Sequence, residues 1–223
     1  MIKFNTYMIV FEKDKKRSDN YNKINEIINC TKFSAINSVD YFEKYTKIAL
    51  EKSYTSKIYI NEIKASPGKL GCNLSHQMLL EDVLKNSSTE WNLILEDDVS
   101  INNLDLDEIG NILTHSNFNK SNYIQLVTNK KFLDKQKKEK EIYKNLFPMV
   151  KQWHTTAYFI NKNGIQILID RYPINKNIDF QFNYLIKDLN SVCWINNMFS
   201  NEGDANGSDN KSEFGSIIWK NRK

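Results

Sequence analysis

The sequence predicts an α/β fold, a mostly parallel sheet covered by helices in one domain. Three observations carry this. Apolar runs rich in strand formers recur along the 223 residues, and segments with helical spacing stand between them. No internal repeat and no Pro/Gly/Ser-rich linker divides the chain. Residues 1–199 are therefore read as a single domain, and 200–223, "SNEGDANGSDNKSEFGSIIWKNRK", as a polar, turn-rich tail.

The elements follow in order. "TYMIVF" (6–11) reads as a buried first strand. "KRSDNYNKINEIINC" then places Tyr21, Ile24, Ile27 and Ile28 at helical spacing. "FSAINSV" (33–39) is a second strand, residues 40–54 mix helix and loop signals, and "SKIYINEI" (56–63) reads as a short strand. Pro67 and Gly68 make a turn, with Gly71 supplying backbone freedom, and a helix with Asn73 as its cap follows. Its inner face is Leu80, Val83 and Leu84. "WNLILEDDV" is the clearest strand, an apolar run that ends in three acids. Residues 103–115 form a helix with Asp105 and Asp107 near its start, and 122–128 a strand. After a lysine-rich stretch come a strand (156–161), a helix (163–172), a helix opened by Asp179 (177–189) and a last strand (191–195).

Composition narrows the class. With 12% aromatic residues and 40% hydrophobic, the chain can fill a core, which excludes a disordered protein. The net charge of +4 is local: "KKFLDKQKKEKEIYK" (130–144) holds seven lysines against three acids. Such a block reads as a solvated helix or loop, or as a surface for anionic lipid or an acidic acceptor. It lacks interleaved aromatics, and no nucleic-acid motif accompanies it, so no nucleic-acid partner is expected. Cys30, Cys72 and Cys193 are odd in number and widely spaced, without metal-binding spacing. The apolar run near the N-terminus, Tyr7 to Phe11, is too short for a signal or a membrane span. A cytoplasmic protein, with peripheral contact at the inner face of the membrane left open, is the expectation.

Two stretches carry chemistry. Ligands in open α/β sheets sit at the carboxyl ends of strands, where Glu96, Asp97 and Asp98 lie. Alternation sends Glu96 and Asp98 to one side and Asp97 to the other, a natural oxygen pair for Mg2+ or Mn2+ with a diphosphate. Acids also end strands merely by entering solvent. In "GKLGCNLSHQ", a helix start after Gly71 presents free N–H groups suited to phosphate. His76 in its first turn is expected to be neutral against the helix dipole, in a binding or a purely structural role.

Together, "GKLGCNLSHQMLLEDVLKNSSTEWNLILEDDV" resembles the signature of glycosyltransferase family 25, the bacterial lipooligosaccharide galactosyltransferases and their collagen-modifying relatives. That signature is Gly-Cys-x-x-Ser-His on a helix start, then a strand ending in Glu-Asp-Asp. Gly71, Cys72, Ser75, His76 and Glu96 to Asp98 meet it. Softer likeness runs from "IVFEKDKKRSDN", with Arg17, through "AINSVD" and "AYFINKNGIQILI" to "NIDFQFNYL", spanning roughly 5–195.

The resemblance implies a GT-A-like (Rossmann-like) nucleotide-sugar transferase of inverting type. It implies UDP-galactose as donor and a glycan or glycolipid acceptor such as lipooligosaccharide. Glu96 and Asp98, with Asp97 beside them, would hold Mn2+ (or Mg2+) against the donor diphosphate. Asp179 is the candidate base, with His154 in reserve, though Asp179 can equally be a helix cap. Arg17, Gly71, Ser75 and His76 are the remaining substrate-binding candidates. One departure stands out: no histidine follows His154 to serve as a third metal ligand, so either Asp204 or Asp209 of the tail substitutes or the metal is held by fewer protein ligands. The alternatives are a non-catalytic nucleotide-sugar or glycan-binding domain, and a metal-dependent phosphohydrolase or nuclease. The latter normally gathers more acids and histidines than "LEDD" offers.

Overall fold

The computed structural model describes residues 2–128, 130–152 and 154–201. Strand β1 (Phe4–Val10) leads into helix α1 (Lys15–Ile27), then β2 (Thr31–Ser34), α2 (Phe42–Glu51), α3 (Lys57–Ile63) and the long α4 (Gly68–Asn86). The middle of the chain gives β3 (Trp91–Glu96), β4 (Val99–Ile101), α5 (Leu106–Phe118), β5 (Tyr123–Gln125), α6 (Lys130–Gln136) and β6 (Leu146–Pro148). It closes with β7 (Ala157–Asn161), α7 (Lys162–Ile169), α8 (Ile178–Tyr184), β8 (Val192–Trp194) and β9 (Phe199–Asn201). Seven strands form one sheet in the order β2-β1-β3-β7-β5-β8-β6. The β2/β1, β1/β3 and β5/β8 pairs are parallel, whereas β7 runs against both neighbours and β6 against β8. Five of the seven strands run the same way, β7 and β6 being reversed, so the sheet is mostly parallel in strand direction, as the alternation of strands and helices predicts.

Period-two alternation builds the two cores. On β1, Met8 and Val10 face one side with α1 and α5, while Tyr7 and Ile9 face the other with α4, α7 and α8. β3 divides likewise, Trp91, Leu93 and Leu95 against Ile94, and so does β7, Ala157 and Phe159 against Tyr158 and Ile160. All these residues are buried, each large aliphatic or aromatic side chain contributing about 1.5–3 kcal/mol. A third, smaller core joins α2 and α3 to α4 through Ala49, Tyr59, Ile60, Ile63, Leu70 and Leu74.

Several elements depart from the sequence reading. Residues 56–63 form a helix, not a strand. Ser56 Oγ accepts from the Tyr59 amide at 3.3 Å, and Tyr59, Ile60 and Ile63 fall on one buried helical face. The cap and packing against α4 override the β-branched composition. Ile27 is 48% exposed, because only Ile24 and its neighbours on that arc of α1 reach the core. β2 is shorter than 33–39: the Ala35 amide still donates to Val10 O at 2.9 Å, but that of Ile36 goes to Ser75 Oγ and the chain leaves the sheet there. The short strands β4 and β9 pair as a separate ribbon, so Ser200 and Asn201 are strand where a tail was expected.

The largest correction concerns α4. It starts at Gly68 after Pro67, nearly two turns before the start that Asn73 as cap would set. Gly71 is therefore helical, and its role is close approach: a Cβ there would lie 2.4 Å from Ile36 O and 2.6 Å from Ser38 Oγ. Asn73 is interior and buried, and does not cap α4. Its side chain instead receives the Ile178 amide on Oδ1 at 2.8 Å and donates to Lys176 O at 3.0 Å, capping the start of α8 from outside. We expect Gly71→Ala to cost about 1–3 kcal/mol, because backbone cannot yield as a side-chain tip can. Urea denaturation tests this, and an unchanged midpoint would mean the loop at Ile36–Ser38 is not held against α4.

Candidate active site

A cleft of about 270 Å³ opens at the carboxyl ends of β1 and β3. One wall is the loop after β2, Ala35 to Val39, another is α4, and the floor is the acid triplet. The loop is held to α4 and its cap residue Pro67 by two hydrogen bonds, one of them through a serine that is itself anchored within the helix. Ser75 Oγ accepts from the Ile36 amide at 2.8 Å and donates to Gly71 O at 2.7 Å, and Ser38 Oγ donates to Pro67 O at 2.6 Å. Gly71 and Ser75 thus shape the wall. With α4 starting at Gly68, the first-turn N–H groups are not those following Gly71, so the predicted phosphate cradle is displaced. His76 lies about two turns into α4, beyond the reach of the dipole field, and a buried hydrogen-bond network governs it instead.

In that network His76 Nε2 meets Glu96 Oε1 at 3.0 Å, and Nδ1 meets the Tyr158 hydroxyl at 2.9 Å. A carboxylate can only accept, so Nε2 carries a proton and donates to Glu96, while Nδ1 is held against the Tyr158 hydroxyl. Thr155 Oγ1 donates to the same Glu96 oxygen. Burial works to raise the Glu96 carboxyl, but the bond and charge of His76, then the Thr155 bond and His154, outweigh it and hold the group below the ordinary range.

β3 ends at Glu96, and Asp97 and Asp98 stand in the turn that follows. Simple alternation therefore stops at Glu96, and all three acids line the cleft. Asp97 Oδ2 accepts from the Phe11 amide at 2.7 Å, and Oδ1 pairs with Arg17 Nη1. Asn20 clamps the same turn by donating to Asp97 O at 3.1 Å and Val99 O at 2.8 Å. Burial still leaves Asp97 above its ordinary value despite Arg17.

Asp98 is differently placed. Oδ2 accepts from Asn201 Nδ2 at 3.2 Å, but Oδ1 is buried with no hydrogen-bond partner among the described residues. Burial, then the charges of Glu96 and Asp97, push its carboxyl up to about 7. A buried carboxylate oxygen without a donor is the kind of atom a divalent cation satisfies. The described residues also bring Cys72, His76 and Glu96 together, with ligand atoms all within 4.8 Å of one another.

Asp179 and His154 do not line the cleft itself. Asp179 sits in the first turn of α8, where Asn177 is the cap residue, so it is not the cap. Its Oδ1 accepts from the Phe180 amide at 2.8 Å. Burial raises its carboxyl, the negative charge of Glu96 adds to this, and His154 opposes it, so both residues stand within the electrostatic reach of the centre. Asp204 and Asp209 lie outside the described residues.

Sequence reasoning passed over Thr155, Tyr158, Asn20 and Asn201. Tyr158 was readable by alternation in "TAYFIN" as facing the α4 side. Asn201 left no signal, because its place depends on the β4/β9 pairing.

A mostly parallel α/β sheet with helices on both faces, and acids where an interior strand ends, is the arrangement of a GT-A-like nucleotide-sugar transferase. The family model described as "Glycosyltransferase family 25 (LPS biosynthesis protein)" matches residues 3–182. The chain belongs to glycosyltransferase family 25. Similar solved structures include a glycosyltransferase involved in the glycosylation of the major capsid of PBCV-1, at 11% identity and TM-score 0.41, covering 89% of this chain and 93% of that one. Mouse xyloside xylosyltransferase 1, apo form, is similar at 8% identity and TM-score 0.41, with 86% and 84% covered. Comparison with curated proteins gives no match.

The raised Asp98 value has a consequence for stability. Its folded value, about 7, exceeds the ordinary 3.8, so the folded chain holds this proton more tightly than the unfolded one. The contribution is full below about pH 4 and is lost as pH climbs to about 7. We expect the urea midpoint of the metal-free protein to fall across that window, and Asp98→Asn to flatten the fall. An identical slope in Asp98→Asn would assign the raised carboxyl to another residue.

Proposed function

We propose that the protein is a hexosyltransferase that moves galactose from UDP-galactose, with inversion, onto a glycan acceptor such as lipooligosaccharide. The observation that supports this most is the buried Asp98 Oδ1, unpartnered among the described residues, beside Glu96 and Asp97 in a family-25 cleft. Asp98 and the free side of Glu96 would hold Mn2+ or Mg2+. Bound there, the cation supplies charge neutralisation for the departing diphosphate. Arg17, held in place by Asp97 and by Asp14 Oδ2 at 3.7 Å, presents a fixed positive charge toward the same phosphates. The wall at Ile36 to Ser38, fixed by Ser75 and Gly71, lies across the cleft and orients the nucleoside.

Asp179 acts as general base. It takes the proton from the acceptor hydroxyl as that oxygen bonds to the sugar C1, while the bond from C1 to the UDP oxygen breaks on the opposite face. Its raised carboxyl favours this, because a base matched more nearly to neutral pH transfers protons efficiently. Asn73 fixes the start of α8 and hence the Asp179 backbone relative to α4. His154 polarises the same region. No helix among the described residues is long and apolar enough to cross a membrane. The exposed lysines 135, 137, 138 and 140 suit peripheral contact with an anionic inner leaflet, where lipid-linked acceptors reside, from the cytoplasmic side.

A panel of nucleotide-sugars with Mn2+ tests the reading. We expect slow acceptor-free hydrolysis of UDP-galactose, lost in Asp98→Ala. No turnover and no Mn2+-dependent binding of any donor would sink it. With acceptor present, Asp179→Asn should lower kcat about 10²–10⁴-fold while donor KM holds. A small effect there, with a large one in His154→Ala, would transfer the base role to His154.

A further inference from the structure

The hard-cation reading of the cleft uses oxygens on its Asp98 side. It leaves unexplained why a thiol and an imidazole stand over Glu96. Cys72 and His76 are four residues apart on α4 and so project from one face of it. Their Sγ and ring nitrogen, with a Glu96 oxygen, lie within 4.8 Å of one another. Sulfur, imidazole and carboxylate in one group form the ligand set of a borderline-soft ion, and a hard ion does not seek it.

The surroundings fit such a site as well. A metal-bound imidazole needs its second nitrogen held, and Nδ1 lies 2.9 Å from the Tyr158 hydroxyl. A ligating carboxylate needs a donor behind it, and Thr155 Oγ1 provides one to Glu96. His76 is 1% exposed and Glu96 24%, while Cys72 opens to the cleft, so the base of the site is rigid and its entry is open.

We propose that Cys72, His76 and Glu96 form a Zn2+ site distinct from the oxygen site centred on Asp98. Tetrahedral zinc places its ligand atoms about 3.5 Å apart, so closure from the present spacing requires shifts of about an ångström. The exposed Cys72 side chain supplies most of that movement. On binding, the Cys72 thiol proton leaves to solvent. The imidazole proton shifts from Nε2 to Nδ1, where Tyr158 accepts it, and the fourth position faces the cleft. Glu96 belongs to both sites. If the donor reading above is correct, zinc here withdraws that carboxylate and opposes Mn2+-supported turnover.

The test needs neither donor nor acceptor, so its failure is separable from failure of the transferase reading. The native chain is titrated with Co2+ as a spectroscopic stand-in for zinc, then with Zn2+ against a competing chelator. We expect one equivalent, a thiolate-to-cobalt charge-transfer band that Zn2+ erases, and loss of the band in Cys72→Ser. Tyr158→Phe should weaken Zn2+ affinity about 10–100-fold. Should Cys72→Ser fold poorly, alkylation of the native chain decides instead: Zn2+ should protect Cys72, the exposed thiol, while Cys30 and Cys193 are buried. Absence of the band, its persistence in a folded Cys72→Ser, or alkylation of Cys72 unaffected by Zn2+ would each overturn the proposal.

Discussion

The contact between His76 and Glu96 ties the architecture of this protein to its chemistry. It joins the middle of α4 to the last residue of β3, across the opening of the cleft. Tyr158 on β7 and Thr155 just before it complete the circuit. Three elements therefore meet on one buried imidazole. Tyr158 in turn stacks on Tyr123 and packs against Phe182 of α8, so the ring's position is set by the core itself. A shift of α4 along the sheet would break this contact first. The wall, the acids and α8 would then lose their common reference.

Three successive acids in a partly closed cleft repel one another, and the fold relieves each in a different way. Glu96 is held ionised by two donors. Asp97 has a backbone amide and a guanidinium, which stabilise the turn as much as the charge. Asp98 has the amide of Asn201 on one oxygen and, among the described residues, nothing on the other. The protein thus spends its own donors on two carboxylates and leaves one unsatisfied. The unsatisfied group has its pKa displaced farthest, because its neighbours remain charged. An external cation would relieve all three at once, and that asymmetry is what supports the metal-holding role proposed for Glu96 and Asp98.

Much of this was legible in the residues. The strands β1, β3 and β7 announce themselves as apolar runs, and their alternation assigns each side chain to the correct core. The acids after "WNLIL" and the Gly-Cys-x-x-Ser-His run mark the cleft. What failed was whatever depended on partners distant in sequence. Residues 56–63 carry strand-forming side chains, and only packing against α4 makes them helical. Asn73 has the identity of a cap and is one, but for α8, about a hundred residues later. The start of α4 was displaced because glycine reads locally as a turn. Here its lack of a Cβ admits the Ile36 carbonyl. Nothing local marks Asn201, since a three-residue strand has too little pattern to detect.

The spacing of the signature then has a physical meaning. Gly71 and Ser75 are four residues apart and face the loop after β2. Cys72 and His76, also four apart and one residue later, are turned by about 100° and face the acids. Asn73, one residue on again, reaches α8. Three adjacent arcs of one helix thus set the cleft wall, the charged floor and the helix that carries Asp179. An insertion anywhere between Gly71 and His76 would rotate at least one of these pairs away from its partner. A conservative change of a single side chain alters one contact, whereas a change of spacing alters the relation between contacts. The motif is therefore a statement about relative orientation around α4, and its glycine and serine are as necessary to the site as its histidine.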